Sequence, residues 1–184
     1  MKYILILLIV STSFFMSCDR RMSKHESLQH AISEFKSKQV AIDVVTYIPK
    51  EYTEIVTDTI INNKVNIHIK NYSLMGDNVV VKPDNDSYKT EYHRSFESEI
   101  VVYNADKIWF KTHLNAKTFA DNNYGLFWNN ATLQHAWVNQ EESNGENICI
   151  LVSFVNPSTK SYRLYQLYID ETGIYKTSLK ENLI

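Results

Sequence analysis

The stretch from residue 148 to residue 155 (ICILVSFV) constrains the fold of this 184-residue chain more than any other. Nearly all of its side chains are apolar, at odd and at even positions alike. Because successive side chains of a strand point to opposite faces, both faces of this segment must be kept from water. We therefore expect a central strand of a sheet that is covered on both sides.

From residue 39 onward the chain shows the alternation of apolar and polar residues that is typical of strands. Val65, Ile67 and Ile69 alternate with polar residues. Asn62 and Asn63 tolerate the positive φ of a tight turn, so we predict a hairpin between residues 54–61 and 64–72. Other predicted strands span 40–48, 79–82, 88–103, 107–112, 126–128, 132–139, 162–169 and 174–179. We also predict a turn at 75–78, a short helical turn at 115–121 and a loosely held end at 180–184.

One helix is predicted, over residues 23–38. Ser23 and Glu26 have the spacing of a capping box, and Leu28, Ile32 and Phe35 share one face. A helix that packs on a sheet is favoured over one that lies on a membrane. With about nine to eleven short strands, the fold class is mainly β. We expect an antiparallel β-sandwich or a strongly bent sheet, with this N-terminal helix packed on it.

The first eighteen residues have the order of a secretory signal: the charge of Lys2, an apolar run at 3–10 and a small residue before Cys18. The apolar run is too short to span a membrane as a helix. Residues 15–18 (FMSC) resemble the lipobox of bacterial lipoproteins, whose Cys receives palmitate-type acyl chains and becomes the new N-terminus. The alternative is a plain secretory signal that contains a Cys by chance.

The lipobox divides the chain into three predicted segments. Residues 1–17 are a signal peptide, residues 18–22 a lipidated tether, and residues 23–184 a single globular β-rich domain. The predicted location is the bacterial cell envelope, attached to the inner or outer membrane and facing the periplasm or the surface. A net charge of −2 gives no basic footprint for nucleic acid.

Several motifs in the second half of the chain carry a family resemblance. They are Arg94-x-Phe96-x-x-Glu99-Ile100-x-Val102, residues 107–110 (KIWF), Lys117-x-Phe119, and the paired strands at 148–154 and 162–170. Together they resemble small lipoproteins of unknown function from Bacteroidetes. The resemblance implies a β fold and a cell-envelope location. It brings no activity and no catalytic residues.

No pattern in the sequence predicts a metal, a cofactor or a nucleophile. The six histidines form no His-x-x-x-His pair, although His113 and His135 could meet in space with Asp121. Cys149 lies within the apolar run, where burial would raise its pKa and leave it inert. Glu142, in the loop 140–147, is predicted to be exposed loop charge.

Glu97 and Glu99 are the one pair of carboxylates with a spacing that could support catalysis. They lie on the same face of one predicted strand, about 7 Å apart by strand geometry. Two carboxylates at this distance could serve glycoside hydrolysis. A solvated strand face is the interpretation that we favour, so no catalytic residue is predicted.

Aromatic residues give the strongest indication of a binding surface. Tyr124, Phe127, Trp128 and Trp137 are the candidates, because exposed Trp and Tyr stack on sugars and anchor protein interfaces. Asn flanks the first three on both sides between residues 122 and 130, which favours exposure there. The interpretation that we favour is nevertheless that these rings fill the core, with an exposed surface as the alternative.

These observations favour a lipid-anchored, non-enzymatic binding domain whose partner is a protein or a glycan, besides the membrane that it reaches through Cys18. A structural or inhibitor-type envelope lipoprotein, of the kind that gives immunity against a partner enzyme, is a second class. A third is a hydrolase that uses scattered histidines and carboxylates. No cofactor and no nucleic-acid partner are expected.

Overall fold

The computed structural model describes residues 23–38, 44–82, 89–120 and 125–183. The chain divides into two compact units, Met1–Ile42 and Asp43–Ile184. Each unit is described by itself. The predicted segments 1–17, 18–22 and 23–184 stay predictions.

The first unit contains helix α1 (Lys24–Lys38). Its start is the predicted capping box: the N–H of Ser23 donates to Glu26 Oε2 at 2.9 Å, and the N–H of Glu26 donates to Ser23 Oγ at 3.2 Å. These two bonds satisfy N–H groups that have no partner within the helix. The predicted helix is confirmed, and its packing on a sheet stays a prediction.

The described residues of the second unit form nine strands and two short helical segments. They are β1 (Val44–Ile48), β2 (Glu54–Ile61), β3 (Val65–Val81), β4 (Lys89–Asn104), β5 (Lys107–Asn115), α2 (Ala116–Ala120), a 3-10 helix (Leu126–Asn130), β6 (Thr132–Val138), β7 (Asn147–Asn156), β8 (Ser161–Asp170) and β9 (Tyr175–Leu183). The predicted mainly β fold is confirmed, and of the two predicted forms the sandwich-like one, with two sheets, is observed.

The first sheet has the order β1-β4-β3-β2, and β5 also pairs with β4. The predicted β2–β3 hairpin is confirmed, with Asn62 and Asn63 at φ 49° and 54° in its turn. Strand β1 pairs with the start of β4 in parallel, which makes this sheet mixed. The sequence did not indicate that pairing, because strand patterns carry no information on direction.

The second sheet is antiparallel throughout and has the order β6-β7-β8-β9. Strand β7 lies inside this sheet and is buried at every position from Ile148 to Phe154. The predicted central strand, covered on both sides, is therefore confirmed.

The core lies between the two sheets. Strands β3 and β4 contribute Val65, Ile67, Ile69, Ile100 and Val102, and strands β7 and β8 contribute Ile148, Ile150, Val152, Phe154, Leu167 and Ile169. These side chains alternate along their strands, so one face of each sheet points to the core. The opposite faces are called the outer faces here.

Three local predictions are wrong. The turn predicted at 75–78 is an irregularity within β3, where the register shifts between Ser73 and Asn78. Arg94 holds this segment against the sheet by donating to Met75 O at 2.7 Å, so the strand continues. Residues 126–128 form part of the 3-10 helix instead of a strand, and residues 180–183 belong to β9.

Candidate functional site

An open groove of about 410 Å³ lies between β5, an edge strand of the first sheet, and β9, an edge strand of the second. Its apolar lining consists of Phe110, Leu114, Phe119 and Leu167. Its polar lining consists of Thr112, His113, Thr118, Tyr175 and Thr177. A cavity of this size with an apolar floor and a few polar groups has the properties of a small-ligand site.

Helix α2 closes one end of the groove. The N–H of Thr118 donates to Asn115 Oδ1 at 2.9 Å, and the N–H of Asn115 donates to Thr118 Oγ1 at 3.1 Å. This reciprocal cap starts the helix directly after β5. Phe119 then inserts into the core, with its ring centroid 4.8 Å from that of Phe154. The groove wall at this end is therefore fixed to the core.

The turn between β8 and β9 fixes the other wall. Asp170 Oδ1 accepts hydrogen bonds from the N–H groups of Thr172 and Ile174, at 2.9 and 3.0 Å. Gly173 adopts φ +84° there, and its Cα lies against the backbone of Trp109 in β5. The turn thus brings the start of β9 to the edge of the first sheet.

The carboxylate of Glu97 lies behind the groove, on the outer face of the first sheet. Glu97 accepts hydrogen bonds from the Tyr72 hydroxyl, from Asn115 Nδ2 at 2.9 Å and from His113 Nδ1 at 3.1 Å. The four residues lie side by side on strands β3, β4 and β5 because Tyr72, Glu97 and Asn115 share one row of the register. His113 belongs both to this cluster and to the groove lining.

The protonation states in this cluster follow from these contacts. Burial raises the pKa of Glu97, but the hydrogen bonds from Tyr72, Asn115 and His113 outweigh it and leave the pKa below 4.5. Burial and the bond to Glu97 raise the pKa of Tyr72 to about 12. Because an ionised carboxylate can only accept, His113 Nδ1 carries a proton toward Glu97, and in the neutral ring Nε2 is an acceptor.

Glu97 and Glu99 lie on the same face, as predicted, and His113 contacts both. Its Nε2 atom lies 3.9 Å from Glu99 Oε1. A hydrogen bond from Lys111 lowers the pKa of Glu99, as the bonds described above do for Glu97. A general acid needs a raised pKa instead. The pair therefore forms a hydrogen-bonded, half-buried strand face, which is less solvated than the sequence interpretation expected.

The histidines that the sequence grouped are not in contact. His135 stacks on Trp137 on the outer face of the second sheet, with ring centroids 5.7 Å apart, and burial lowers its pKa. Asp121 lies outside the described residues. Within the described ranges, no group of three or more His, Cys, Asp or Glu residues could hold a metal ion.

Cys149 is buried, and burial together with the nearby Glu142 carboxylate raises its thiol pKa to about 11. The prediction that Cys149 is buried is confirmed. A thiol with a raised pKa stays protonated near neutral pH and is a poor nucleophile, so its inertness stays a prediction.

Glu142 lies in the loop and is exposed, as predicted, but it is more than loop charge. Its carboxylate folds over the outer face of the second sheet, where Gln166, Tyr168 and Lys180 donate to it at 2.7, 2.5 and 3.1 Å. The sequence places it in a polar loop and gives no sign that this loop returns to the sheet.

The aromatic candidates for a binding surface differ in how deeply they are buried. Phe127 and Trp128 are only 8% and 9% exposed, so the interpretation that the rings fill the core is confirmed for these two residues and the alternative of an exposed binding surface is wrong for them. The Trp128 ring packs edge-on against Phe154 with centroids 5.0 Å apart, which places it in the core. Trp137 is half-buried. Tyr124 lies outside the described residues.

A second hollow of about 370 Å³ lies beside the irregularity in β3. Asn78, Trp128, Asn129 and Asn130 contribute to its lining, and Lys117 Nζ lies 2.8 Å from Asp77 Oδ2 nearby. Trp128 Nε1 and Asn78 Oδ1 are buried and have no hydrogen-bond partner among the described residues. Both atoms are closed off from solvent, so we regard the groove as the stronger candidate.

Thr112, Tyr175 and Thr177 are the groove residues that the sequence did not single out. Tyr175 and Thr177 lie two residues apart on one face of β9. This spacing is typical of any strand and does not form a recognisable motif.

Cys18, the predicted lipidation site, lies outside the described residues. No helix in the described part of the chain is long and apolar enough to cross a membrane.

Fold and groove together define a class: a two-sheet, mainly β protein with a ligand-sized groove between two sheet edges. No protein-family model matches the chain, and no curated protein matches it either. The resemblance to Bacteroidetes lipoproteins therefore stays a prediction.

Proposed function

We propose that this chain is a lipid-anchored protein of the bacterial cell envelope whose β unit binds a protein or a glycan without catalysing a reaction. The observation that carries the binding role is the groove between β5 and β9. Its apolar floor and hydroxyl-bearing rim are the features by which sites recognise a ligand without changing it.

The proposal that the β unit does not catalyse a reaction is supported by the carboxylates of Glu97 and Glu99. Glu97 and Glu99 both have pKa values below 4.5. They are ionised near neutral pH and cannot act as general acids there. The anchoring part of the proposal is supported by the order of residues 1–18, which ends in the lipobox-like sequence FMSC.

The binding role is tested by affinity capture. Residues 19–184, which include every described residue, are immobilised and exposed to envelope extract, alongside Tyr175→Ala and Ser178→Ala variants. Tyr175 lines the groove, whereas Ser178 lies on the same strand outside it. We expect one dominant protein or polysaccharide that the wild type and Ser178→Ala retain and Tyr175→Ala loses. Equal retention by all three proteins would contradict a role for the groove.

The anchor is tested separately in the full chain. Cells expressing the protein are fed an alkyne-bearing fatty acid, and the label on the protein is measured. We expect label on the wild type and none on Cys18→Ala, which should also keep residues 1–17. Normal labelling of Cys18→Ala would show that Cys18 is not the lipidation site.

A further inference from the structure

The lining of the groove between β5 and β9 has a distinct chemical character. None of its described lining residues is Asp, Glu, Lys or Arg. Its polar side-chain groups are the hydroxyls of Thr112, Thr118, Tyr175 and Thr177. An ionic ligand would find no opposite charge there to offset the loss of its hydration. The groove therefore favours a neutral ligand.

Several of these polar atoms are available to a ligand. Tyr175 Oη and Thr177 Oγ1 make no hydrogen bond within the described chain, and Thr112 Oγ1 has only a 3.5 Å contact with His113 O. Each hydroxyl can both donate and accept. The ring nitrogens of His113 face the outer side of the sheet instead, with Nδ1 3.1 Å from Glu97 Oε1 and Nε2 3.9 Å from Glu99 Oε1, so they are not among the groups offered to the ligand. The set of hydroxyls matches a ligand that itself carries several hydroxyl groups.

The mouth of the groove also offers an aromatic face. Tyr175 is 52% exposed. Its ring packs edge-on against Phe110, with centroids 5.4 Å apart, so the ring is held in place while part of it stays accessible. An exposed Tyr ring fixed in this way is a platform for the apolar face of a sugar ring.

We infer that the groove binds a neutral saccharide, with a sugar ring stacked on Tyr175 and its hydroxyls bonded to Thr112 and Thr177. The inference rests on the proposed function and narrows its ligand from a protein or a glycan to a neutral glycan. The inferred aromatic binding residue is Tyr175, and it takes the place of the predicted binding surface at Phe127 and Trp128.

The test is a titration of ¹⁵N-labelled residues 19–184 followed by NMR. The probes are maltose, cellobiose, lactose and N,N′-diacetylchitobiose, each raised to about 10 mM, which covers millimolar Kd values. At least one probe is expected to give saturable shifts of β5 and β9 amides. Tyr175→Ala should raise its Kd by about tenfold or more. Thr177→Val, which keeps the shape of the side chain, should raise it by about threefold.

Ser178→Ala serves as the control and should leave the Kd unchanged. The inference is overturned if no probe shifts the groove amides, or if the Kd is the same in Tyr175→Ala and Thr177→Val as in the wild type. It is also overturned if 3′-sialyllactose, which is charged, binds more tightly than every neutral probe. If the sugars fail while a protein is captured in a Tyr175-dependent manner, only the narrowing to glycans fails. If both experiments fail, the proposed function fails as well.

Discussion

The side-chain amide of Asn71 hydrogen-bonds to both the N–H and the C=O of Ala136, at 3.0 Å each. Asn71 is buried on β3 of the first sheet, and Ala136 lies on β6 of the second. The side-chain amide of Asn71 thus makes the two hydrogen bonds that a peptide group of a neighbouring strand would make. Both buried backbone groups of Ala136 are satisfied across the junction of the sheets.

Asn71→Ala should therefore destabilise the protein strongly. It leaves two buried backbone groups without partners, which costs about 2–4 kcal/mol of unfolding free energy. Urea unfolding measures this loss. Asn66→Ala, on the outer face of the same strand, is the control and should change the free energy by about 0.5 kcal/mol or less. Equal effects of the two substitutions would show that the Asn71 bonds contribute little.

The hydrogen bonds from Tyr72, Asn115 and His113 to Glu97 predict that the stability of the protein depends on pH. The folded-state pKa of Glu97 lies below 4.5, so its contribution is complete above that pH and is lost as the pH falls through the folded value. Glu97→Gln should thus be less stable than the wild type at pH 7 and should lose less stability on acidification. Unfolding free energies measured between about pH 7 and pH 3 test this.

Glu171→Gln is the matched control for that experiment. Glu171 is exposed and makes no side-chain hydrogen bond within the described ranges. Its variant should follow the wild-type curve at every pH. Parallel curves for Glu97→Gln and the wild type would mean that the hydrogen bonds from Tyr72, Asn115 and His113 do not stabilise the ionised carboxylate.

At the scale of elements, the turn between β8 and β9 determines where the groove can exist. Gly173 has φ +84°, and a Cβ atom there would lie 2.1 Å from the carbonyl oxygen of Trp109. No side chain fits this approach, and L residues rarely adopt this φ. The contact joins the turn to β5, and β9 continues from it with Tyr175 and Thr177.

Gly173→Ala should destabilise the protein by about 2–4 kcal/mol, because backbone strain and overlap with Trp109 add together. The urea unfolding midpoint measures the change. Gly145→Ala is the control, since its Cβ would meet only Asn62 Nδ2 at 3.7 Å. That variant should stay within about 1 kcal/mol of the wild type. A similar midpoint for Gly173→Ala would mean that the turn can move away from β5.

The hairpin at Asn62 and Asn63 and the central strand β7 could be predicted from the sequence, because local periodicity and turn chemistry decide them. The 3-10 helix could not, since Phe127 and Trp128 follow the demands of the core and not a local pattern. The groove could not be predicted either. Its two walls, β5 and β9, are far apart in the chain and meet only through the packing of the sheets.

At the scale of the whole molecule, the hydrophobic core belongs to one of the two units. Every buried hydrophobic residue of the described chain lies between Ile61 and Ile169. Residues 43–184 form a compact unit that contains all of them. Its stability therefore rests on contacts within that unit.

Residues 43–184 alone should fold cooperatively, with an unfolding free energy within about 1 kcal/mol of that of residues 19–184. Urea unfolding followed by tryptophan fluorescence measures both proteins. Residues 19–174, which lack β9, are the comparison. Removing β9 exposes one edge of β8 and should abolish the cooperative transition. Failure of residues 43–184 to fold would show that the first unit contributes to the core.

The contact between Asn71 and Ala136 also affects how the molecule meets its neighbours. A free sheet edge presents unpaired N–H and C=O groups that recruit strands from other chains and lead to aggregation. Strand β6 is the end strand of its sheet, but it packs against β3 and β4, and the groups of Ala136 in its middle are already occupied by Asn71. An incoming strand therefore cannot form an unbroken ladder along β6, and Asn71 is one of the side chains that protect this edge from intermolecular pairing.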